Sequence, residues 1–316
     1  MKRKFFLAMT MLIVIASLTA CGQDQAPKNP DAISEQNTPV LPIVDRAGNE
    51  ITVPNEITKI ISMSPSNTEI LIDLGFGDKI IAADTYSADI PGLPENIQFF
   101  DMMAPDAEQL VALEPDIIFA TGMSMTDGND PFKPVGDMGI CLAYIPSSDS
   151  IEGIYKDITF IAESLKVPDK GHALVSGMET KIAEIKKIAS TIEKKKTVYF
   201  EIAAAPELYS FGKGVFLNEM IEIIGAENIL ANEEKWISVS DEIVVAANPD
   251  VILTNVNYIE NAADEIKSRV GWENVSAVKN NDVYYIDNNA SSLSNHNVVK
   301  ALQQMAEAVY PKIYLK

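Results

Sequence analysis

Apolar residues fall into short runs separated by stretches with helical spacing. In the first half the runs are 59–63, 79–83, 116–121 and 141–145, and amphipathic helical patterns cover 67–74, 107–113 and 131–138. The alternation returns later, with strands predicted at 197–202, 250–255 and 282–287 and helices at 217–224, 241–247, 262–271 and 298–310. Short apolar runs alternating with amphipathic helices predict parallel sheets with helical crossovers. Ahead of the first run, 43–45 and 51–53 flank Gly48-Asn49, the pattern of a β-hairpin. Between the two blocks, Leu174, Met178, Ile182, Ile185, Ile188 and Ile192 form one stripe. Pro168 and Asp169 open this helix, and Lys194-Lys195-Lys196 close it with charge that suits a carboxyl end. From Val167 to about Ile192 it would run nearly 40 Å at about 1.5 Å per residue, enough to pass from one block to the other.

One stretch occurs twice. Residues 107–121 read AEQLVALEPDIIFAT and residues 241–255 read DEIVVAANPDVILTN, with a constant offset of 134 and no gap. Glu108 falls on Glu242, and Pro115-Asp116 falls on Pro249-Asp250. Each copy predicts a short helix with an acid in its first turn, a stop at Pro-Asp, and a buried strand. The offset exceeds any solenoid repeat, so the chain contains two copies of one architecture. The space between two such lobes is a natural ligand cleft.

The 316 residues suit about two domains. A formal charge of −20 argues against a nucleic-acid partner, because binding phosphates requires Lys and Arg to displace counterions. The two cysteines, Cys21 and Cys141, are too few for a disulfide framework. Cys141 opens an apolar run and reads as a small core residue. His172 and His296 lie far apart, and no Cys-His cluster occurs, so neither a resident metal nor a cofactor is expected. GxSxG, HExxH and GxGxxG following a strand are all missing. Ser210-Phe211-Gly212-Lys213-Gly214 lacks phosphate-loop spacing.

The first 20 residues read as an export signal: Lys2, Arg3 and Lys4, then an apolar run too short for a comfortable bilayer span. The alternative is an uncleaved anchor helix. Residues 21–38 are polar and aperiodic, a flexible tether. The expected organisation is then an α/β lobe over 39–166, a bridging helix over 167–194 and a second α/β lobe over 195–316. Ser66 or Asn67 can cap the helix after the first strand, or that helix start can face the cleft and offer N–H groups to a ligand. Met102, Met103 and Met123 would add soft, adaptable surface at loop ends, or fill the core.

Several segments together carry a family resemblance: DRAGNEITVP, IISMSPSNTEIL, EQLVALEPDIIFA, FGKGVFLNEMIEIIGAENIL and ALQQMAEAVYP. The chain resembles the substrate-binding proteins of ABC importers for iron-siderophores, haem and cobalamin. That resemblance implies a class III periplasmic-binding-protein fold, in which two parallel-sheet lobes are joined by a single long helix. It implies a carrier without catalysis, monomeric, delivering a small-molecule metal chelate to a permease and its ATPase. Glu108 and Glu242 would dock into Arg pockets of that permease. Leu18-Thr19-Ala20-Cys21 resembles a lipoprotein box, so Cys21 would carry lipid and hold the protein at the outer face of the cell membrane. Tyr86 and Trp236 match cleft aromatics of the vitamin B12-binding member, Tyr209 matches a further one, and Met102 stands where that member has Trp. His296-Asn297 replaces a common Pro-Arg, which disfavours an anionic catecholate ligand. His296 is a candidate axial ligand to a bound metal, or a helix cap. An iron chelate is the leading expectation and a corrinoid the alternative. An exported hydrolase and a surface scaffold are the readings from other classes.

Overall fold

The computed structural model describes residues 43–125 and 129–315. The hairpin forms from β1 (Ile43–Val44) and β2 (Glu50–Ile51), paired antiparallel. Asp45 holds its turn by accepting from the Ala47 and Asn49 amides at 2.9 and 2.8 Å, and the Tyr144 amide donates to it at 2.9 Å. The first lobe follows with β3 (Ile60–Ser62), β4 (Ile80–Asp84), β5 (Gln98–Phe100), β6 (Ile117–Thr121) and β7 (Cys141–Ile145). They form one parallel sheet in the order β5-β4-β3-β6-β7. Its helices are α1 (Pro65–Asp73), α2 (Ala107–Ala112), α3 (Lys133–Asp137) and α4 (Ile151–Ser164).

Then comes α5 (Pro168–Ala189), 22 residues long. At about 1.5 Å per residue it spans roughly 33 Å, shorter than its apolar stripe suggests. The stripe continues to Ile192, but the Ser190 and Thr191 hydroxyls turn back to the carbonyls of Lys187 and Ile188 at 2.7 and 2.8 Å. Such side-chain bonds occupy the acceptors that a further turn would use. Met178, Ile182 and Ile185 are buried as the stripe requires.

The second lobe contains β8 (Thr197–Glu201), β9 (Tyr209–Phe211), β10 (Glu227–Asn228), β11 (Trp236–Ser238), β12 (Val251–Thr254) and β13 (Val283–Tyr285). Four of these form a parallel sheet, β10-β8-β12-β13, while β9 and β11 make a separate antiparallel ribbon. Its helices are α6 (Phe216–Ile223), α7 (Asp241–Ala247), α8 (Ala262–Lys267), α9 (Ser276–Lys279), α10 (Asn288–Ser292), α11 (Val298–Val309) and α12 (Pro311–Tyr314). Fully buried strands, such as β6 and β12, carry continuous apolar runs because helices cover both faces of a parallel sheet.

The repeated stretch occupies equivalent places. α2 runs into β6 beside β3, and α7 runs into β12 beside β8. Glu114 and Asn248, one offset apart, both take left-handed φ values, 52° and 47°, directly before the matched prolines. A left-handed residue ends a helix by turning the chain out of it. In each copy the chain therefore leaves the helix ahead of Pro-Asp, and the aspartate is free for another bond.

Candidate functional site

In a parallel sheet every strand ends on the same edge, so the loops after the strands gather there. β3 ends at Ser62 and passes through Ser64 into α1; β4 ends at Asp84 and enters a one-turn helix, Thr85–Ser87; β6 ends at Thr121 and enters another, Gly122–Ser124. These loops bring Ser64, Ser66, Asn67, Tyr86, Thr121 and Met123 to one face. From the second lobe, Asn257 follows β12, and Asn288, Asn289, Ser292, Leu293 and Ser294 come from α10 and its exit. Together they enclose a cleft of about 620 Å³ between the lobes. A depression of about 750 Å³ beside the hairpin, α3 and β7 belongs to the first lobe alone, away from the converging strand ends.

The chemistry of the cleft is mixed. Tyr86, 71% exposed, stands beside Met103 and Met123, also exposed, with Met102 packed beneath. Around them stand hydroxyls and carboxamides from both lobes. Among the described residues lining the cleft there is no Lys or Arg, and the acids are Asp89 and Asp157. Arg46 is committed to Asp157 at 2.6 Å. Burial pushes the Asp157 carboxyl up, against the opposing bonds from Ser148 and Arg46. Arg269 is sealed in the second lobe, forked onto Glu201 at 2.7 and 2.8 Å and bound to Glu265. Such paired forks leave no donor for a ligand.

Tyr86 rests on a buried scaffold. Its amide donates to Asp84 at 2.9 Å, and the other Asp84 oxygen accepts from Ser87. Ser87 meets Thr68 at 3.0 Å, and Thr68 donates to Ser62 at 2.8 Å. Burial raises the Asp84 carboxyl while the bonds from Ser87 and Tyr86 pull it back. The hydroxyl chain crosses from β3 through α1 to the Tyr86 turn, so the ring is presented from a fixed base.

A family model described as periplasmic binding protein matches residues 60–290. The chain is 32% identical over 321 residues to YvrC, an ABC transporter substrate-binding lipoprotein of Bacillus subtilis, covering 99% of each. The chain belongs to the periplasmic binding protein family. The vitamin B12-binding protein of Yersinia pestis is 27% identical over 214 residues, 65% of this chain and 72% of that one. A solved structure from Staphylococcus epidermidis, described as a possible iron-binding (periplasmic solute-binding) protein, matches with a TM-score of 0.72 at 27% identity, covering 81% of this chain and 100% of that one. The two sheets joined by α5 are the class III form of this fold. As a periplasmic binding protein the chain is a carrier and not an enzyme.

In this binding protein, Ser66, Tyr86, Met102, Met103 and Met123 come together in the cleft. Tyr209, Trp236 and His296 are not among its lining residues. Tyr209 and Trp236 stand partly exposed on the β9–β11 ribbon, Trp236 packing edge-on against Phe211 with centroids 5.9 Å apart. His296 is buried, its Nε2 2.6 Å from Asp73 at the end of α1. It therefore packs against the first lobe outside the cleft lining, and neither ring nitrogen makes a well-aligned hydrogen bond. Asn295 and Asn297 beside it donate to Glu69 of α1 at 2.6 and 2.8 Å. The carboxamides and hydroxyls of 288–294 were missing from the sequence-based site, although the density of Asn and Ser after the last strand was visible.

Glu108 and Glu242 occupy the first turns of α2 and α7, both exposed. The Asp106 side chain caps α2 by accepting from the Gln109 amide at 3.0 Å. The Ser240 hydroxyl holds the Glu242 carboxyl below its ordinary range. Cys21 lies outside the described residues. Cys141 is unpaired and half-buried, and burial pushes its thiol up to about 11, which keeps it unreactive at neutral pH. Among the described residues no cluster of three or more His, Cys, Asp or Glu is arranged to hold a metal.

Proposed function

We propose that this binding protein captures a small metal chelate in the cleft between its lobes and delivers it to an ABC permease. The observation that carries this reading is the cleft itself: an aromatic ring and thioethers from the first lobe among amides and hydroxyls from both lobes, in about 620 Å³. Flat apolar surface suits a macrocycle or aryl chelate, and convergent polar groups fix its orientation. Iron chelates and corrinoids both fit this description. The relatives support both, since one is described as possibly iron-binding and another as vitamin B12-binding.

Delivery would use Glu108 and Glu242, one per lobe, each accepting a bidentate arginine pair from the permease. Cys21 would carry the lipid that holds the protein near that permease. The family and the B. subtilis lipoprotein relative support an extracytoplasmic setting. The ligand is cargo; no resident cofactor takes part.

A calorimetric screen of iron chelates, haem and corrinoids tests the reading, with Tyr86→Ala as the control. One chelate should bind at micromolar concentration or below, and Tyr86→Ala should weaken it at least tenfold. If none binds, or if a colourless, metal-free solute binds at the cleft instead, the reading fails.

A further inference from the structure

We infer that the amino end of α1 is a subsite for an uncharged oxygen acceptor, with the Asn67 carboxamide as its principal donor; the ligand is therefore a chelate bordered by carbonyl groups, not by carboxylates or catecholates. This rests on the cleft being the binding site, as proposed above. Asn67 is 2% exposed, and its Nδ2 is closed off from solvent and has no hydrogen-bond partner, so it donates to a ligand once the side chain turns toward the cleft. It lines the cleft within the first turn of a nine-residue helix. Buried amides without partners are rare, because each forfeits its hydration and gains nothing.

The surrounding backbone points the same way. Ser64 occupies the cap position but makes no side-chain cap bond, and Pro65 follows it. The first helical hydrogen bond is donated by the Thr68 amide to the Ser64 carbonyl at 3.0 Å. The Ser66 and Asn67 amides precede it and belong to the set that a helix leaves over at its start. Plain capping, the bland account of this turn, is thus not what the structure has.

Charge decides the class of acceptor. No Lys or Arg lines the cleft among the described residues, while Asp89 and Asp157 do. Asp157 is already paired with Arg46, so an anionic border would meet the Asp89 carboxylate with only a helix end in compensation, and that end is worth about half an elementary charge. A carboxamide or hydroxamate carbonyl takes the same donors and meets no repulsion.

Two measurements test the inference. The first uses the ligand-free protein. Asn67→Leu removes an unsatisfied donor without opening a void, so its melting temperature should rise by about 2–4 °C. A fall would mean that Asn67 is satisfied in the unliganded protein and would overturn the proposal. The second compares dicyanocobinamide and ferrioxamine B, both bordered by carbonyls, with haem and a ferric tricatecholate, both anionic. The tightest ligand should come from the first pair, and Asn67→Leu should weaken it about tenfold, the loss of one hydrogen bond. Tightest binding by an anionic chelate, or an unchanged affinity in Asn67→Leu, would overturn the proposal. If the wild-type protein binds none of the four, chelate capture itself fails, and the melting temperature still decides whether Asn67 is an orphan donor.

Discussion

Single residues explain why the repeated stretch repeats. The Pro-Asp pair looks like a helix stop, but the aspartate's larger part is to fasten two strands. Asp116 accepts from the Thr58 amide at 2.6 Å, the Thr58 hydroxyl at 3.0 Å and the Lys59 amide at 2.9 Å, while its own amide donates to the Lys59 carbonyl at 2.9 Å. Asp250 repeats the arrangement on Thr197, accepting from its amide at 2.9 Å and donating to its carbonyl at 3.0 Å. Each aspartate starts a central strand in register with its neighbour. Asp250→Ala should cost about 1.5–3 kcal/mol, the range for hydrogen bonds to a charged group, measurable by urea unfolding; a cost near zero would reduce the clamp to decoration. Burial opposes the charge on Asp116, but the Thr58 and Lys59 bonds win and hold its carboxyl low. Its contribution is therefore present above the ordinary carboxylate range and lost as pH falls below it. His296 acts in a higher window. Burial depresses its pKa, against the pull of Asp73 and Glu69 and with the help of Lys300. The unfolded imidazole takes up a proton first, at about pH 6.5, so stability should fall as pH drops from there toward the depressed folded value. His296→Gln should flatten that part of the stability–pH curve. An unaltered slope would show that other groups set it.

At the scale of elements, legibility followed length and periodicity. Both sheets and the bridging helix were readable because continuous apolar runs and a stripe at helical spacing have few other interpretations. α4 was not assigned, although Ile151, Ile154, Ile158 and Ile161 carry the same spacing and are buried. Asp157 and Ser164 interrupt its apolar face; Asp157 is satisfied by Arg46 and Ser148, which the fold brings to it, and Ser164 by the Phe160 carbonyl one turn back. β5, β9, β10 and β11 have three residues or fewer, too short to show any period. The site was half legible for a related reason: ring and thioether side chains stand out in a loop, whereas the amides of 288–294 look like any turn. One contact shows how closely the missed element matters. A Cβ on Gly171 of α5 would lie 2.5 Å from the Ala162 Cβ of α4. Gly171→Ala should force these helices apart at a cost of about 1–3 kcal/mol, and Ala162→Gly should recover much of it. Double-mutant unfolding measures the coupling; additive losses would mean that the helices do not meet there.

The molecule as a whole is braced on both sides of its cleft, and the braces are unequal. Lys235 and Asp149 pair across the lobes at 2.6 Å, but both side chains are about half exposed, and such pairs contribute about 0–1 kcal/mol. The Ile151 amide donates to Glu219 at 3.0 Å on the same flank. On the other, Glu69 accepts two carboxamide bonds from Asn295 and Asn297, and His296 meets Asp73 close by. Bonds to a partly buried carboxylate contribute about 1.5–3 kcal/mol each, so the α1 flank is the stronger of the two braces. This bracing bears on the proposed docking. Two docking glutamates on separate helices would act as one bivalent ligand, since the first contact would place the second at a high effective concentration. Reversing one charge, Glu108→Lys or Glu242→Lys, should weaken association with the permease and slow uptake, with much of the loss in association rate and salt dependence. Reversing both should abolish uptake. Ligand affinity should stay within about twofold throughout, because neither residue lines the cleft and screening is strong beyond about 8–10 Å in physiological salt. Uptake that survives the double reversal would remove these two acids from the delivery step, whatever the cleft binds.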